Sequence, residues 1–332
     1  MRTSTAPLVG IEKSKNIQCN LIKLFGGIYV GAKIDGDPLW TARFLSTNPE
    51  AVYKTHLDFL RAGADIIETN TYQASISGLT KHLGISESES SSLLCKAVQL
   101  AKKAVETYKG EIVNNDKVFN NNPLIAGSCG PYGASLHDYS EYTGSYGKRV
   151  SQVTIKEYHR PRIVALIEGG VDLLAMEMIP CIEEAEAIID LLKEFPQIKA
   201  WMSFSIKPDS QSLVDGSSFK QVATRCYKMC SQLIAVGANC LAPKDVTKLF
   251  KTIVEDTNEQ IPLIVYPNSG EIYSLNKGWT KADTLDQFQS LIPEWLNLGV
   301  KYIGGCCRVC ADDITYIRET VNTWEREKAL TN

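Results

Sequence analysis

Three cysteines carry the chemistry this sequence offers first. Two are vicinal, in Gly304-Gly305-Cys306-Cys307-Arg308, and the third lies far upstream, in Gly237-Ala238-Asn239-Cys240-Leu241-Ala242-Pro243. Three thiolates drawn from two places in a fold can hold one zinc ion and leave its fourth position open, the mark of a catalytic rather than a closed structural site. The spacing agrees, because structural zinc sites usually take their ligands from close Cys-x-x-Cys pairs. An open zinc–thiolate site suits one task well, which is to bind a substrate thiol as thiolate and present it as a nucleophile. Adjacent residues on a strand face opposite ways, so Cys306 and Cys307 reach one ion only where a strand ends and the chain turns. Gly304 and Gly305 permit such a turn. For any one of these cysteines taken alone, a buried core thiol is the competing reading.

The remaining cysteines and the histidines have weaker patterns. Cys310 forms a Cys-x-x-Cys with Cys307 and is a rival ligand ranked below Cys240. Cys226 and Cys230 stand four apart on an expected helix and read as core or helix-surface thiols rather than a metal pair. His56, His82, His137 and His159 show no ligand spacing and read as structural or surface residues. Ten cysteines in a chain of 332 residues, with no apolar signal-like run in Met1–Asn20, predict free thiols in a reducing compartment, hence the cytoplasm. A formal net charge of −3 without basic stripes argues against nucleic acid and membrane-surface partners. The most apolar stretch, Ile163–Pro180, is interrupted by Glu168, Asp172 and Glu177 and reads as a core helix followed by a strand.

The elements that must position the cysteines repeat along the chain. Three junctions are alike: a helix ends at Gly63, Gly170 or Gly299, a tight turn follows, and an apolar run begins. The apolar runs alternate little, as parallel strands covered on both faces do. Eight strands are predicted, near Leu21–Phe25, Asp65–Thr69, Leu124–Ser128, Asp172–Glu177, Ala200–Ser205, Leu233–Cys240, Pro262–Tyr266 and Lys301–Cys306. Asn48-Pro49-Glu50 is a helix start, and residues 86 to 108 form a long helix. Asn114–Asn122 reads as a polar loop. Eight βα units predict an α/β fold of (β/α)8 TIM-barrel type over 1–332 as a single domain, with a doubly wound sheet as runner-up. Function in such barrels sits at the C-terminal strand ends. Cys240 then ends strand six and Cys306-Cys307 ends strand eight, close enough across the mouth for the sulfurs to converge. The other strand ends carry Glu68-Thr69-Asn70-Thr71-Tyr72, Ser128-Cys129-Gly130-Pro131-Tyr132, Glu177, and Tyr266-Pro267-Asn268-Ser269-Gly270, groups suited to a small zwitterion.

With these residues in place, the chain resembles the homocysteine S-methyltransferase family from about Asp35 to Ile317. The matching stretches include Asp37-Pro-Leu-Trp40, Glu68-Thr-Asn-Thr-Tyr-Gln-Ala-Ser75, Gly127-Ser-Cys-Gly-Pro-Tyr132, Ser140-Glu-Tyr-Thr-Gly144, Met176-Glu-Met-Ile-Pro180 and Ser212-Leu-Val-Asp-Gly-Ser217. They also include Gly237-Ala-Asn-Cys240, Tyr266-Pro-Asn-Ser-Gly270 and Gly304-Gly-Cys-Cys-Arg308. The resemblance implies a (β/α)8 barrel with zinc on Cys240, Cys306 and Cys307. It implies that Glu177 accepts hydrogen bonds from the substrate amino group, and that Thr69, Asn268, Gly26 and Gly27 border the substrate. Where the family opens its first strand with Asp-Gly-Gly, this chain has Phe25-Gly26-Gly27. Its length resembles that of the short members, which use S-methylmethionine and often S-adenosylmethionine, rather than the betaine-using members with a C-terminal extension.

The expected reaction is transfer of a methyl group from a sulfonium donor to zinc-bound homocysteine, giving methionine, with Glu177 orienting the amino acid and small-molecule substrates as the only partners implied. The expected catalytic group is the zinc-activated substrate thiolate itself. Two rivals stand beside it. One is a zinc-binding barrel without turnover, acting as sensor or scaffold, suggested by Phe25. The other is a thiol redox protein using Cys307 and Cys310.

Overall fold

The computed structural model describes residues 20–23, 37–114, 122–255, 260–270, 272–274, 278–280 and 285–331. Its strands in chain order are β1 Asn20–Lys23, β2 Ile66–Glu68, β3 Leu124–Cys129, β4 Leu173–Ile179, β5 Lys199–Phe204, β6 Leu233–Asn239, β7 Leu263–Tyr266, β8 Ile272–Ser274, β9 Gly278–Thr280 and β10 Val300–Gly305. Seven of them, β2-β3-β4-β5-β6-β7-β10, pair in parallel in that order and curl. β1 pairs in parallel with both ends, Asn20 opposite Tyr302 and Ile22 opposite Ile66, which closes the ring. β8 and β9 form a separate antiparallel hairpin. That hairpin has no counterpart in the sequence reading.

Strand positions agree with the apolar runs to within two residues, and the connecting segments are helical as the helix signals require. Asn48 caps the helix Pro49–Arg61 by accepting from the Ala51 N–H at 3.1 Å, with Pro49 in the first turn. The long helix is Glu87–Asn114, ending six residues beyond the point its serines and lysines suggest. It starts in a capping box, with the Ser86 N–H donating to Glu89 Oε2 at 2.8 Å and the Glu89 N–H donating to Ser86 Oγ at 3.2 Å. Gly63, Gly170 and Gly299 all have left-handed φ, at 95°, 84° and 89°, which ends each helix and turns the chain into the next strand.

The two-residue period of the strands sorts their side chains. Ile67, Ile125, Leu174, Met176, Met202, Val236, Val265 and Ile303 face outward into one large core shared with the helices. Ile66, Ala126, Leu173, Ala175, Trp201, Ala235, Ile264 and Tyr302 face inward and fill the ring. Both faces are thus apolar, which is why the strands show no alternation in hydrophobicity. One inner position admits no side chain at all: a Cβ on Gly237 would lie 1.7 Å from the Ile264 carbonyl oxygen. Continuing the inner parity toward the C-terminal ends brings Glu68, Ser128, Glu177, Ser203, Asn239, Tyr266 and Cys306 to the ring mouth, a polar layer on an apolar plug.

Candidate metal and substrate site

Cys240, Cys306 and Cys307 converge at that mouth. The Cys240 and Cys307 sulfurs are 3.7 Å apart and those of Cys306 and Cys307 are 3.8 Å apart. All three lie within 4.8 Å of one another, and among the described residues no other group of three or more Cys, His, Asp or Glu side chains is so gathered. Tetrahedral zinc with Zn–S bonds of about 2.3 Å places its sulfurs about 3.8 Å apart. The trio therefore fits zinc with little movement. The donor set agrees: the Cys306 thiol is pushed well above its ordinary range, first by hydrogen bonds with Cys240 and Cys307 and then by burial. Three packed thiols cannot all ionise without a cation among them. Cys310 stays apart, exposed, its sulfur 3.1 Å from Asp313 Oδ2.

The sulfurs are held by a hydrogen-bond ladder that continues past the strands. The Cys240 N–H donates to Tyr266 O at 3.1 Å and the Asn268 N–H to Leu241 O at 3.0 Å. The Cys306 N–H donates to Pro267 O at 2.7 Å and the Ser269 N–H to Cys307 O at 3.0 Å. The double glycine works differently from the sequence expectation. The chain turns at Arg308, with φ of 66°, and Cys240 itself is left-handed at 55°. Gly305 is required instead for close approach, since a Cβ there would sit 2.1 Å from the Val309 side chain.

Beside the trio lies an acid pocket. Glu177 is fully buried; its Oε1 accepts from Ser128 Oγ at 2.5 Å, and its Oε2 is buried with no partner. Burial pushes its carboxyl up to about 8, against the hydrogen bond from Ser128, the nearby Tyr266 hydroxyl and the charge of Arg162. A buried carboxyl oxygen left without a partner is unfavourable unless something else occupies it. Thr69 braces the pocket. Thr71 Oγ1 donates to Ser128 O at 2.7 Å, so Thr69 Oγ1 donates to Thr71 Oγ1 at 2.7 Å and accepts from the Ser128 N–H at 3.0 Å. That uses the Thr69 hydroxyl hydrogen and fixes the strand end that presents Ser128 to Glu177. Asn268 brings a buried Oδ1 without a partner to the same mouth. Phe25, Gly26 and Gly27 lie outside the described residues.

Two features of the site went unassigned in the sequence. Tyr142, on the short turn Ser140–Tyr142, is 49% exposed with its hydroxyl close to Cys240. The neighbouring Cys240 charge and then burial push that phenol well above its ordinary range. Behind the rim runs a buried line of charge. Arg162 can only donate, so its 2.8 Å contact makes His159 Nδ1 an acceptor and leaves the Nε2–H to donate to Glu184 Oε1 at 2.7 Å. Glu184 also accepts from the Tyr132 N–H at 2.7 Å and from the Tyr146 hydroxyl. Arg162 in turn donates to Gly130 O at 2.7 Å and Tyr72 O at 3.2 Å. The loops after β2 and β3 are thereby tied to one neutral imidazole between two opposite charges. Glu184→Ala strands three donors and an unpaired buried guanidinium, and is expected to destabilise the fold by about 3–5 kcal/mol, read from its urea midpoint. Glu184→Gln, which retains an acceptor, is expected to lose less.

A closed ring of parallel strands with a cluster of three cysteines and a buried acid at its mouth has the architecture of a barrel enzyme. Residues 23–321 match the family model described as homocysteine S-methyltransferase, and the chain belongs to that family. A betaine-homocysteine S-methyltransferase of Drosophila melanogaster is 44% identical over 302 residues, spanning 88% of this chain and 90% of that protein. Homocysteine S-methyltransferase 1 of Arabidopsis thaliana is 39% identical over 323 residues, spanning 92% and 97%. The metallated form of the homocysteine methyltransferase MmuM from Escherichia coli superposes with a TM-score of 0.77 at 35% identity, covering 92% of this chain and 97% of that one. Among the described residues, no helix is long and apolar enough to cross a membrane.

Proposed function

We propose that this chain is a zinc-dependent homocysteine S-methyltransferase of (β/α)8 barrel type, a single domain that takes a methyl group from S-methylmethionine or S-adenosylmethionine and forms methionine. The observation that carries the reading is the sulfur triangle of zinc dimensions beside a buried carboxylate oxygen without a partner. Cys240, Cys306 and Cys307 would hold the metal. Bound there, zinc supplies the Lewis acidity that makes a substrate thiol available as thiolate near neutral pH. Family membership and the metallated state named for the Escherichia coli relative support both parts.

The residues do the rest by positioning. Glu177 Oε2 takes the substrate ammonium, and that cation draws the carboxyl into its charged form. Ser128 and Thr69 keep Glu177 in place, and the wall carrying Asn268 and Tyr142 bounds the space above the sulfurs. The substrate sulfur attacks the donor methyl carbon in line. A new C–S bond forms, the donor sulfur keeps the electron pair of the bond that breaks, and the thiol proton passes to solvent. A cationic donor is favoured by the excess negative charge of three thiolates around a divalent ion.

Chain length does not separate the donors, because the Drosophila relative named for betaine is matched over 90% of its own length. The test is methionine formation by zinc-loaded protein given homocysteine with S-methylmethionine, S-adenosylmethionine or betaine in separate reactions. Turnover with a sulfonium donor and not with betaine is expected. Turnover with betaine alone reassigns the donor, and none with any donor in protein carrying one zinc per chain removes the enzymatic reading.

A further inference from the structure

Asn239 precedes the metal ligand Cys240 and is fully buried on the inner face of β6. Its side-chain oxygen is saturated. Oδ1 accepts from the Met178 N–H at 3.0 Å and from Ser203 Oγ at 2.8 Å. The Met178 contact fixes the orientation of the amide, since a backbone N–H can face only the oxygen. The nitrogen must then point elsewhere, and Nδ2 is buried with no hydrogen-bond partner. A buried amide donor left unpaired is unfavourable unless something else occupies it.

The place of that donor identifies what it awaits. Met178 directly follows Glu177, so the bond from Asn239 to its backbone brings the amide to the end of β4 that presents the acid. It also holds Met178 at a left-handed φ of 56°. The mouth thus offers an acceptor without a donor, Glu177 Oε2, and a donor without an acceptor, Asn239 Nδ2. An α-amino acid carries the complementary pair, ammonium and carboxylate, on one carbon.

We propose that Asn239 Nδ2 is the side-chain donor for the carboxylate of the amino acid thiol, opposite Glu177 on its ammonium. The assignment rests on the methyltransferase reading above and makes the site select amino acid thiols over aminothiols of equal length. Asn239→Asp retains an oxygen for Met178 and Ser203 and replaces the donor by an acceptor.

Calorimetric binding to the zinc-loaded full chain tests this without turnover, using homocysteine and 3-aminopropane-1-thiol, which lacks only the carboxylate. Wild type is expected to bind homocysteine about tenfold or more tighter, and N239D to bring the two affinities within about threefold by weakening homocysteine alone. Asn239→Ala gives the same comparison if N239D does not load zinc. Equal affinity for both thiols in wild type overturns the proposal and leaves the methyltransferase reading intact. Equal weakening of both thiols in the variant also overturns it, reducing Asn239 to a strand brace. Failure of wild type to bind either thiol overturns the methyltransferase reading, and this proposal with it.

Discussion

Cys306→Ala is expected to reduce methyl transfer by about a thousandfold or more and to leave zinc well below one per chain, while the protein still melts cooperatively. Lewis-acid activation contributes several kcal/mol to such reactions, and each 1.4 kcal/mol is about tenfold in rate. With one sulfur gone, the remaining pair cannot enclose the ion on three sides. The fold survives because the ladder that places the cysteines is made of backbone bonds, such as Cys306 N–H to Pro267 O, which do not depend on the side chain. Cys306 is fully packed in the inner cluster, so truncating it leaves only a small cavity. Treatment of wild type with a chelator is expected to act likewise, abolishing activity with a shift of only a few degrees in melting temperature. A protein that unfolds on losing zinc would instead make the site structural. Elemental analysis and calorimetry on the same samples separate the two.

Glu177→Gln is expected to weaken homocysteine binding by about ten- to a hundredfold, the scale of a lost charge-assisted hydrogen bond, and to make the free protein more stable at alkaline pH. The sign follows from the carboxyl being pushed by burial from an ordinary 4.5 to about 8. Between those values the folded chain holds a proton that the unfolded chain has released. Its stabilising effect is fully present below about pH 4.5 and is lost as pH rises through about 8. Glutamine keeps the hydrogen bond from Ser128 and has no proton to lose. The gap in stability between wild type and variant should therefore open by a few kcal/mol from about pH 5 to about pH 9, at roughly 1.4 kcal/mol per unit of displaced pKa. Urea unfolding at the two pH values measures it. A gap that does not change with pH would mean that Glu177 titrates as an ordinary carboxyl.

The convergence of the three cysteines was legible because it depends on residue type and on strand ends, both of which the chain displays locally. The helix signals were equally local: Asn48 before Pro49, and glycine at 63, 170 and 299. What the sequence hid depends on distance. Glu184, His159 and Arg162 meet Tyr132, Tyr72 and Gly130 across separations of up to ninety residues, and no spacing rule joins them. His159 read as a structural histidine and is one, yet its part in tying the rim needed coordinates. Thr69 reads as a substrate neighbour in the sequence, whereas in the fold its hydroxyl hydrogen goes to Thr71. Asn239 stood inside a recognised motif without a task, because only the parity of β6 shows that it faces inward while Cys240, at a left-handed φ, turns toward Cys307.

The ring closes by pairing β1 with β10, residues about 280 positions apart, and Cys306 and Cys307 follow that closing strand. Glu177 and its braces are in place once β4 is made, yet the sulfur cluster needs residues 240, 306 and 307 together. On the ribosome, a nascent chain therefore carries an unfinished acid pocket and Cys240 well before Cys306 and Cys307 can join it. Contacts of such long range form slowly and late. Any metal taken up by the trio must accordingly arrive after the barrel has closed, and the incompletely translated chain is the form in which these thiols are most open to oxidation.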